Sequence, residues 1–135
     1  MRLEPLYTIR FAYPEHYLSR GPDTLGLFFA EGRVDGQVKG RFRGLNYARM
    51  RSDDVYVPDF HGVIETDDGA VLTFHLRGLA RKCEHGREVT GTIVHSTGSD
   101  RYSRLNDAVC VLAGEARRND IRIEVSELVW EPLGA

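Results

Sequence analysis

The chain has 135 residues and a mass of 15.3 kDa, which suits one domain with a single hydrophobic core. Hydrophobic residues make up 41% and charged residues 28% of the chain, so the composition excludes disordered and fibrous proteins. The 18 Lys and Arg residues and the 20 Asp and Glu residues leave a formal charge of -2, which does not attract nucleic acid or anionic lipid. We therefore expect no nucleic-acid partner and no membrane partner.

The start of the chain carries no apolar signal segment, and no stretch approaches the roughly 18 apolar residues of a membrane-spanning helix. The two cysteines, Cys83 and Cys110, form no Cys-x-x-Cys pair and have no metal-ligand spacing. Two separate thiols are typical of a reducing compartment, so we expect a cytoplasmic protein.

Alternation of apolar and polar residues dominates the chain and predicts eight β-strands, each rich in β-branched or aromatic residues. In chain order the predicted strands are Leu3–Tyr13, Leu25–Val34, Gln37–Leu45, Val55–Thr66, Ala70–Lys82, Val89–Ser96, Asp107–Ala116 and Ile121–Trp130. Two segments do not fit the alternation. Pro14–Leu18 is typical of a helical turn or a loop, and Asn46–Asp54 is typical of a polar connection long enough to act as a lid.

The predicted strands are joined by short turns such as Asp35-Gly36, Asp67-Asp68-Gly69 and His85-Gly86, which favour antiparallel neighbours. A small domain of eight antiparallel strands must protect its edges, and closure into a barrel removes them completely. The sequence therefore predicts a single-domain, all-β, eight-stranded antiparallel up-and-down barrel spanning residues 1-135, with a β-sandwich as the alternative.

The sequence around Gly69 predicts the register of the central hairpin. A three-residue loop with Gly69 in the left-handed conformation pairs Thr66 with Ala70. This register separates the two faces. One face carries Phe60, Gly62, Ile64, Leu72, Phe74 and Leu76, and the other carries Asp59, His61, Val63, Glu65, Val71, Thr73, His75 and Arg77. Two-residue loops mix apolar and charged residues on both faces, so the three-residue loop is preferred.

The polar face of this hairpin supports a functional hypothesis. If it lines the lumen, His61 or His75 acts as a general acid or base, Asp59 orients the imidazole, and Arg77 binds an anionic group or an enolate oxygen. The alternative is that the polar face meets water while the apolar face fills the interior. His95 could join His61 and His75 in a metal site, but the spacing matches no metal motif, so we expect no metal.

Several runs of residues together form a recognisable pattern. They are Leu3-Glu4-Pro5-Leu6-Tyr7, Gly36–Gly44, Thr66–Ala70, Thr97–Asn106 and Val109–Gly114. In these runs the chain resembles a bacterial family of small barrels, catalogued as domain of unknown function 3237. The resemblance covers nearly the whole chain and implies a calycin-like or avidin-like barrel that often self-associates. It implies no general activity.

The resemblance also places Tyr102, Leu105 and Asn106 on a recurring Arg-Tyr…Leu-Asn segment of the family. This chain departs from the family at Arg104, where a Trp is usual, and at His61-Gly62, where Arg-Tyr is common. It also lacks the family's Gly-Gly-Ala-Asp-Trp stretch before Pro58. These departures fall at the hairpin and the predicted lid, so this member is expected to take a ligand of its own.

Two further pairs allow either a binding or a structural interpretation. Gly62 beside Phe74 leaves room for a ligand cavity, or simply accommodates the Phe ring. Tyr102 and Asn106 could hydrogen-bond a carbonyl or enolate oxygen at the barrel rim. In the structural interpretation, Asn106 caps a turn and Tyr102 packs over the end of the barrel.

The sequence thus predicts a barrel that binds a small, partly hydrophobic carbonyl or aromatic compound. The first hypothesis is a cofactor-independent isomerase, cyclase, hydratase or lyase acting by proton transfer. The predicted catalytic residues are His75, His61 and Tyr102, and the predicted substrate-binding residues are Arg77, Asn106, Asp59 and Phe74. The alternatives are a non-catalytic ligand-binding barrel and a structural, self-associating protein with a filled core. We expect a homodimer and no cofactor.

Overall fold

Alternating apolar and polar residues give this chain extended strands that follow one another through short turns. The computed structural model describes residues 1–134. Its elements are β1 (Arg2–Arg20), β2 (Thr24–Gly36), β3 (Gly40–Met50), β4 (Tyr56–Val57), β5 (Asp59–Thr66), β6 (Val71–Cys83), β7 (Gly86–Thr97), a 3-10 helix (Asp100–Asp107), β8 (Cys110–Arg117) and β9 (Asp120–Val129).

All nine strands belong to one antiparallel sheet whose hydrogen-bonded ladder runs around a ring. β1 pairs with β2, β2 with β3, β3 with β5, and the ladder continues through β6, β7 and β8 to β9, which pairs back with β1. The short β4 pairs with β3 and β6. The predicted all-β antiparallel fold is confirmed. The sandwich alternative is wrong because there is one sheet.

The first strand is longer than the sequence predicts. Pro14–Leu18 is neither a helical turn nor a loop, because β1 continues to Arg20 and pairs with β2 as far as Thr24. The register shifts between Ala12 and Glu15, which marks a β-bulge at Pro14. A bulge tolerates proline because the residue there does not donate to the ladder.

The predicted connection Asn46–Asp54 is also mostly strand. β3 continues to Met50 in pairing with β2, so the remaining turn begins only at Arg51. A backbone hydrogen bond of 2.9 Å from Arg51 N to Val55 O closes this turn. The predicted strand Val55–Thr66 divides into β4 and β5 around Pro58.

The inward residues of the ring form one hydrophobic core. Its fully buried members include Ile9, Val34, Phe42, Phe60, Ile64, Leu72, Ile93 and Val125. The 3-10 helix, which the sequence analysis did not predict, buries Tyr102 and Leu105 against one end of this core. No helix within residues 1–134 has the length and apolar character needed to cross a bilayer.

Candidate functional site

The central hairpin has the predicted register. Asp59 faces Arg77, His61 faces His75, and Gly62 faces Phe74. Gly69 has a φ of +91°, the left-handed conformation that the three-residue loop requires. The sequence could predict this element because turn chemistry and strand alternation are both local.

The apolar face of the hairpin points into the ring and the polar face points to solvent, as in the alternative interpretation of the sequence. The apolar residues Phe60, Ile64, Leu72, Phe74 and Leu76 are buried in the core. The side chain of His61 is 65% exposed and that of Asp59 is 45% exposed. The hypothesis that the histidines line the lumen is therefore wrong, because this face of the sheet meets solvent.

Outside the ring, these polar residues still form a close cluster. His75 Nε2 lies 2.7 Å from Asp59 Oδ1, and His61 Nε2 lies 3.3 Å from the same oxygen. The two imidazole rings stack with their centroids 4.0 Å apart. The hydrogen bond from His75 and the nearby charges hold the pKa of Asp59 below its usual value. Arg77 Nε lies 3.2 Å from His75 Nε2.

Phe74 fills the space that Gly62 leaves in the opposite strand. It stacks on Phe42 with ring centroids 4.9 Å apart. A Cβ atom at position 62 would meet the Phe74 ring at 2.5 Å. Gly62 therefore accommodates the ring, and Phe74 belongs to the packed core rather than to the cavity described below.

Tyr102 and Asn106 lie at the closed end of the ring. The Tyr102 hydroxyl donates to the Asp68 carboxylate at 3.0 Å. The Asn106 side chain accepts from Thr97 N at 2.7 Å and donates to Thr97 O at 3.0 Å. These bonds tie the 3-10 helix to the turn between β5 and β6 and to the end of β7. The structural interpretation of this pair is therefore the one that the contacts support.

The opposite end of the ring holds a cavity of about 400 Å³. Its walls are mostly aromatic and aliphatic, and they come from all eight long strands and from β4. The lining residues include Phe11, Tyr13, Phe28, Asn46, Ala48, Tyr56, Phe60, Leu76, Ala80, Lys82, Arg87, Val89, Arg118 and Ile121. The ring is thus packed solid beside the 3-10 helix and hollow at the other end.

The cavity wall contains a hydrogen-bonded pair of polar side chains, Asn46 and Tyr13. The side-chain amide of Asn46 donates to the Tyr13 hydroxyl at 3.1 Å. The Asn46 carbonyl oxygen accepts from the backbone N–H of Asp59 at 3.2 Å, which fixes its orientation. Burial raises the pKa of Tyr13 to about 12, so the phenol is neutral and keeps its proton. That proton is available to donate to a ligand oxygen.

Cationic side chains surround the mouth of the cavity. The Arg87 guanidinium stacks on the Tyr56 ring at 3.5 Å from the ring centroid and pairs with Asp54 at 2.8 Å. It also donates to the backbone oxygens of Asp54 and Ala80. Lys82 and Arg118 complete this rim. Arg87 therefore holds the Arg51–Val55 turn against the mouth.

Another histidine, His95, lies inside the core and does not line the cavity. The Tyr7 hydroxyl and His95 Nε2 are 2.6 Å apart, and both residues are buried. Burial lowers the pKa of His95 to about 4 and raises that of Tyr7 well above its usual value. Because His95 turns inward, it cannot join His61 and His75 in the three-histidine site considered from the sequence.

The residues that shape the cavity were not singled out by sequence reasoning. Tyr13 ends a predicted strand, Asn46 begins the predicted Asn46–Asp54 connection, and Arg87 follows a predicted turn. The only signal in the sequence is that Asn46 continues the alternation of β3 on its inward face. An amide at an inward position is a candidate polar group in an otherwise apolar wall.

A comparison with protein-family models matches residues 1–128 of the chain to the family described as protein of unknown function (DUF3237). The chain belongs to this family. The DUF3237 segment recognised in the sequence at Arg101-Tyr102 and Leu105-Asn106 forms the 3-10 helix that closes one end of the ring. A search of the curated proteins found no match.

Solved structures share the fold at low sequence identity. A β-barrel-like protein from Acinetobacter baumannii AYE is 20% identical, with a TM-score of 0.84 over 95% of this chain and 96% of that chain. A protein with unknown function from Clostridium acetobutylicum ATCC 824 is 16% identical, with a TM-score of 0.86 over 96% and 100%. An enzyme from Penicillium herquei is 19% identical, with a TM-score of 0.71 over 93% and 94%.

Proposed function

We propose that this protein is a calycin-like up-and-down barrel that binds one small organic molecule in the cavity at its open end. The observation that carries the proposal is the hollow of about 400 Å³, which falls in the usual size range of ligand pockets. Small barrels of this strand number hold a single ligand in this way. A purely structural barrel would have a filled core without such a cavity.

The lining indicates the chemistry of the ligand. Phe11, Phe28 and Phe60 favour a flat aromatic or partly hydrophobic body. The Tyr13 hydroxyl offers a hydrogen bond to a carbonyl or enolate oxygen. Lys82 and Arg118 at the rim favour a carboxylate or another acidic group that stays near solvent. The proposed ligand is therefore an aromatic carbonyl compound with an acidic substituent.

A matched pair of compounds tests this chemistry. The fluorescent probe 1-anilinonaphthalene-8-sulfonate is bound first and is then displaced with 2-naphthoic acid or with the neutral 2-naphthamide. We expect both compounds to displace the probe saturably, and we expect the acid to bind more tightly than the amide. The difference in affinity should shrink as salt is added, because salt screens the rim cations. Failure of both compounds to displace the probe would contradict binding in the cavity. Equal affinity of the two would contradict the role of the rim cations.

A catalytic role is the second candidate, and the neutral Tyr13 phenol supports it because it can polarise a ligand oxygen. The structural neighbour from Penicillium herquei is an enzyme, which also favours a catalytic role for this protein. Within residues 1–134 no carboxylate or imidazole lines the cavity, so Tyr13 would act as an acid with water as the base. This suits the proton-transfer reactions of an isomerase, cyclase, hydratase or lyase.

Deuterium exchange tests this catalytic role. The methyl protons of 4-acetylbenzoate exchange through an enol, which a hydrogen bond to the ketone oxygen stabilises. We expect the protein to accelerate exchange above the buffer rate and Tyr13→Phe to abolish the acceleration. The outward-facing variants His61→Ala and His75→Ala should leave it intact. If only the histidine variants lost the acceleration, the catalytic groups would lie on the outer face and the role of Tyr13 would be contradicted.

We also propose that the protein forms a homodimer through the outer face of β1, β2 and β3. Tyr17, Leu27 and Tyr47 lie directly opposite one another in this sheet. Phe29 lies beside them and contacts Tyr17 edge to face, with ring centroids 6.4 Å apart. Tyr17, Phe29 and Tyr47 are exposed and Leu27 is half-buried, and a contiguous apolar row of this kind is typical of an interface. A cytoplasmic location fits the free thiols of Cys83 and Cys110.

A further inference from the structure

We propose that Asp59, His61 and His75 form a binding site for a divalent transition metal of the zinc class on the outer face of β5 and β6. One carboxylate oxygen and two imidazole nitrogens lie within 4.8 Å of one another in this cluster. These are ligand types that Zn²⁺ prefers. None of these three residues lines the proposed ligand cavity.

The hairpin register places the three ligands on one face. Asp59 and His61 are two residues apart on β5, so their side chains leave the sheet in the same direction. His75 lies directly opposite His61 on β6, which brings the two imidazoles into cross-strand contact. The three-residue loop at Gly69 fixes this register, so the ligands are held by rigid strands rather than by a loop.

The observed distances are close to those of a coordination shell. Asp59 Oδ1 lies 2.7 Å from His75 Nε2 and 3.3 Å from His61 Nε2. Ligand atoms in a tetrahedron with bonds of about 2.1 Å are about 3.4 Å apart. The distance from Asp59 to His61 therefore already fits, while the distance from Asp59 to His75 has to widen by about 0.7 Å. Rotation of the stacked imidazoles about χ2, a broad torsion, allows this change. Three protein ligands leave the remaining position for water.

The contacts of His75 also favour a metal at this nitrogen. Nε2 of His75 is approached both by the Asp59 carboxylate and by Arg77 Nε, at 3.2 Å. One nitrogen cannot donate to the carboxylate and accept from the guanidinium at the same time. A metal ion would use the lone pair of Nε2 and take Asp59 as a second ligand. Arg77 is exposed, so its guanidinium can turn away into water, although its charge weakens the site.

The cavity and this cluster meet only at Asp59 among the contacts described above. Its carboxylate belongs to the cluster, while its backbone N–H donates to Asn46 in the cavity wall. Neither His61 nor His75 lines the cavity. Metal binding can therefore be measured separately from ligand binding.

Calorimetric titration of tag-free protein with ZnCl₂, in a buffer that does not chelate metal, tests the proposal. We expect one Zn²⁺ per chain. His61→Ala and His75→Ala should each weaken binding more than about tenfold, since losing a group that merely supports a ligand already costs about 10- to 100-fold. Arg77→Ala should tighten binding by removing a nearby positive charge. The control variants His85→Ala and His16→Ala, which change histidines outside the cluster, should bind as the parent does.

Co²⁺ provides a second measurement. We expect the visible absorption of four-coordinate Co²⁺ in the parent protein and its loss in Asp59→Asn, a nearly isosteric change that removes the negative charge. Unchanged far-ultraviolet circular dichroism shows that each variant folds. The proposal is overturned if no 1:1 binding occurs, or if the His85→Ala or His16→Ala variant loses as much affinity as His61→Ala does.

Discussion

The side-chain amide of Asn46 donates a hydrogen bond of 3.1 Å to the hydroxyl oxygen of Tyr13 across the wall of the cavity. The carbonyl oxygen of the same amide accepts from the backbone of Asp59, so the amide cannot turn freely. The phenol therefore accepts from the protein and retains its own proton for a ligand. This single relationship gives an otherwise apolar cavity a directed hydrogen-bond donor.

Tyr13→Phe removes this donor while keeping the ring. We expect the affinity for 4-acetylbenzoate, measured by calorimetry, to fall about two- to tenfold, which corresponds to one hydrogen bond of about 0.5–1.5 kcal/mol. Tyr47→Phe is the matched control, because Tyr47 lies on the outer face. Equal losses in the two variants would show that Tyr13 does not hold the ligand oxygen.

Stability should fall with acidification through His95. Its pKa is about 4 in the folded protein and about 6.5 in the unfolded chain, so the unfolded state binds more protons between these values. The stabilisation is complete above about pH 6.5 and is lost as the pH falls toward 4, at up to about 1.4 kcal/mol per pH unit.

Urea unfolding at several pH values measures this slope. In His95→Gln the slope between about pH 6.5 and pH 4 should flatten, because glutamine does not titrate but can still accept from the Tyr7 hydroxyl. His85→Gln, at an exposed turn, should keep the parent slope. A parent-like slope in His95→Gln would mean that His95 is not the buried neutral group.

Arg87→Ala should loosen the Arg51–Val55 turn. The variant loses the ion pair with Asp54, the backbone hydrogen bonds and the stacking on Tyr56. We expect the free energy of unfolding to fall by about 2 kcal/mol, since charged hydrogen bonds and cation–π contacts each contribute on that order.

Hydrogen exchange in the same variant should increase over residues 51–56 and stay at parent levels in β8 and β9. Arg81→Ala, which changes an exposed arginine of β6, is the control. Exchange that is uniform along the chain would indicate general destabilisation and would contradict a local role for Arg87.

Self-association should depend on the outer face of β1–β3. Light scattering coupled to size exclusion is expected to give a dimer mass for the parent and a monomer mass for Tyr47→Glu, which places a charge in the apolar row. Val109→Glu changes an exposed valine away from this face and should remain dimeric. A monomeric parent would refute the dimer, and a dimeric Tyr47→Glu would place its interface elsewhere.

Sequence reasoning was most successful where the determinants are local. The turn at Gly69 and the alternation on either side of it predict every pairing from Asp59–Arg77 to Glu65–Val71. The extension of β1 past Pro14 could not be predicted, because it depends on a bulge and on pairing with β2. Tertiary contacts there override the local signal of proline.

The candidate site was harder to predict, because hydrophobic pattern shows which residues face inward but not how completely they fill the space. The inward residues near Leu72 and Phe42 pack solidly, whereas those near Ala48 and Ala80 leave a hollow. From the sequence, the polar face with His61 and His75 could line a lumen or meet water, and the structure places it on the outer face. The family resemblance predicted the fold but gave no information about the position of the site.

The most direct test of the proposed binding site is to fill it. Ala48 is buried in the cavity wall, so Ala48→Trp should occupy the hollow, whereas Ala113→Trp adds the same ring to an exposed position on β8. In a titration with 1-anilinonaphthalene-8-sulfonate, we expect the parent and Ala113→Trp to bind one probe per chain. Ala48→Trp should bind it at least about tenfold more weakly, a loss of about 1.4 kcal/mol. Parent-like binding by a folded Ala48→Trp would contradict the account.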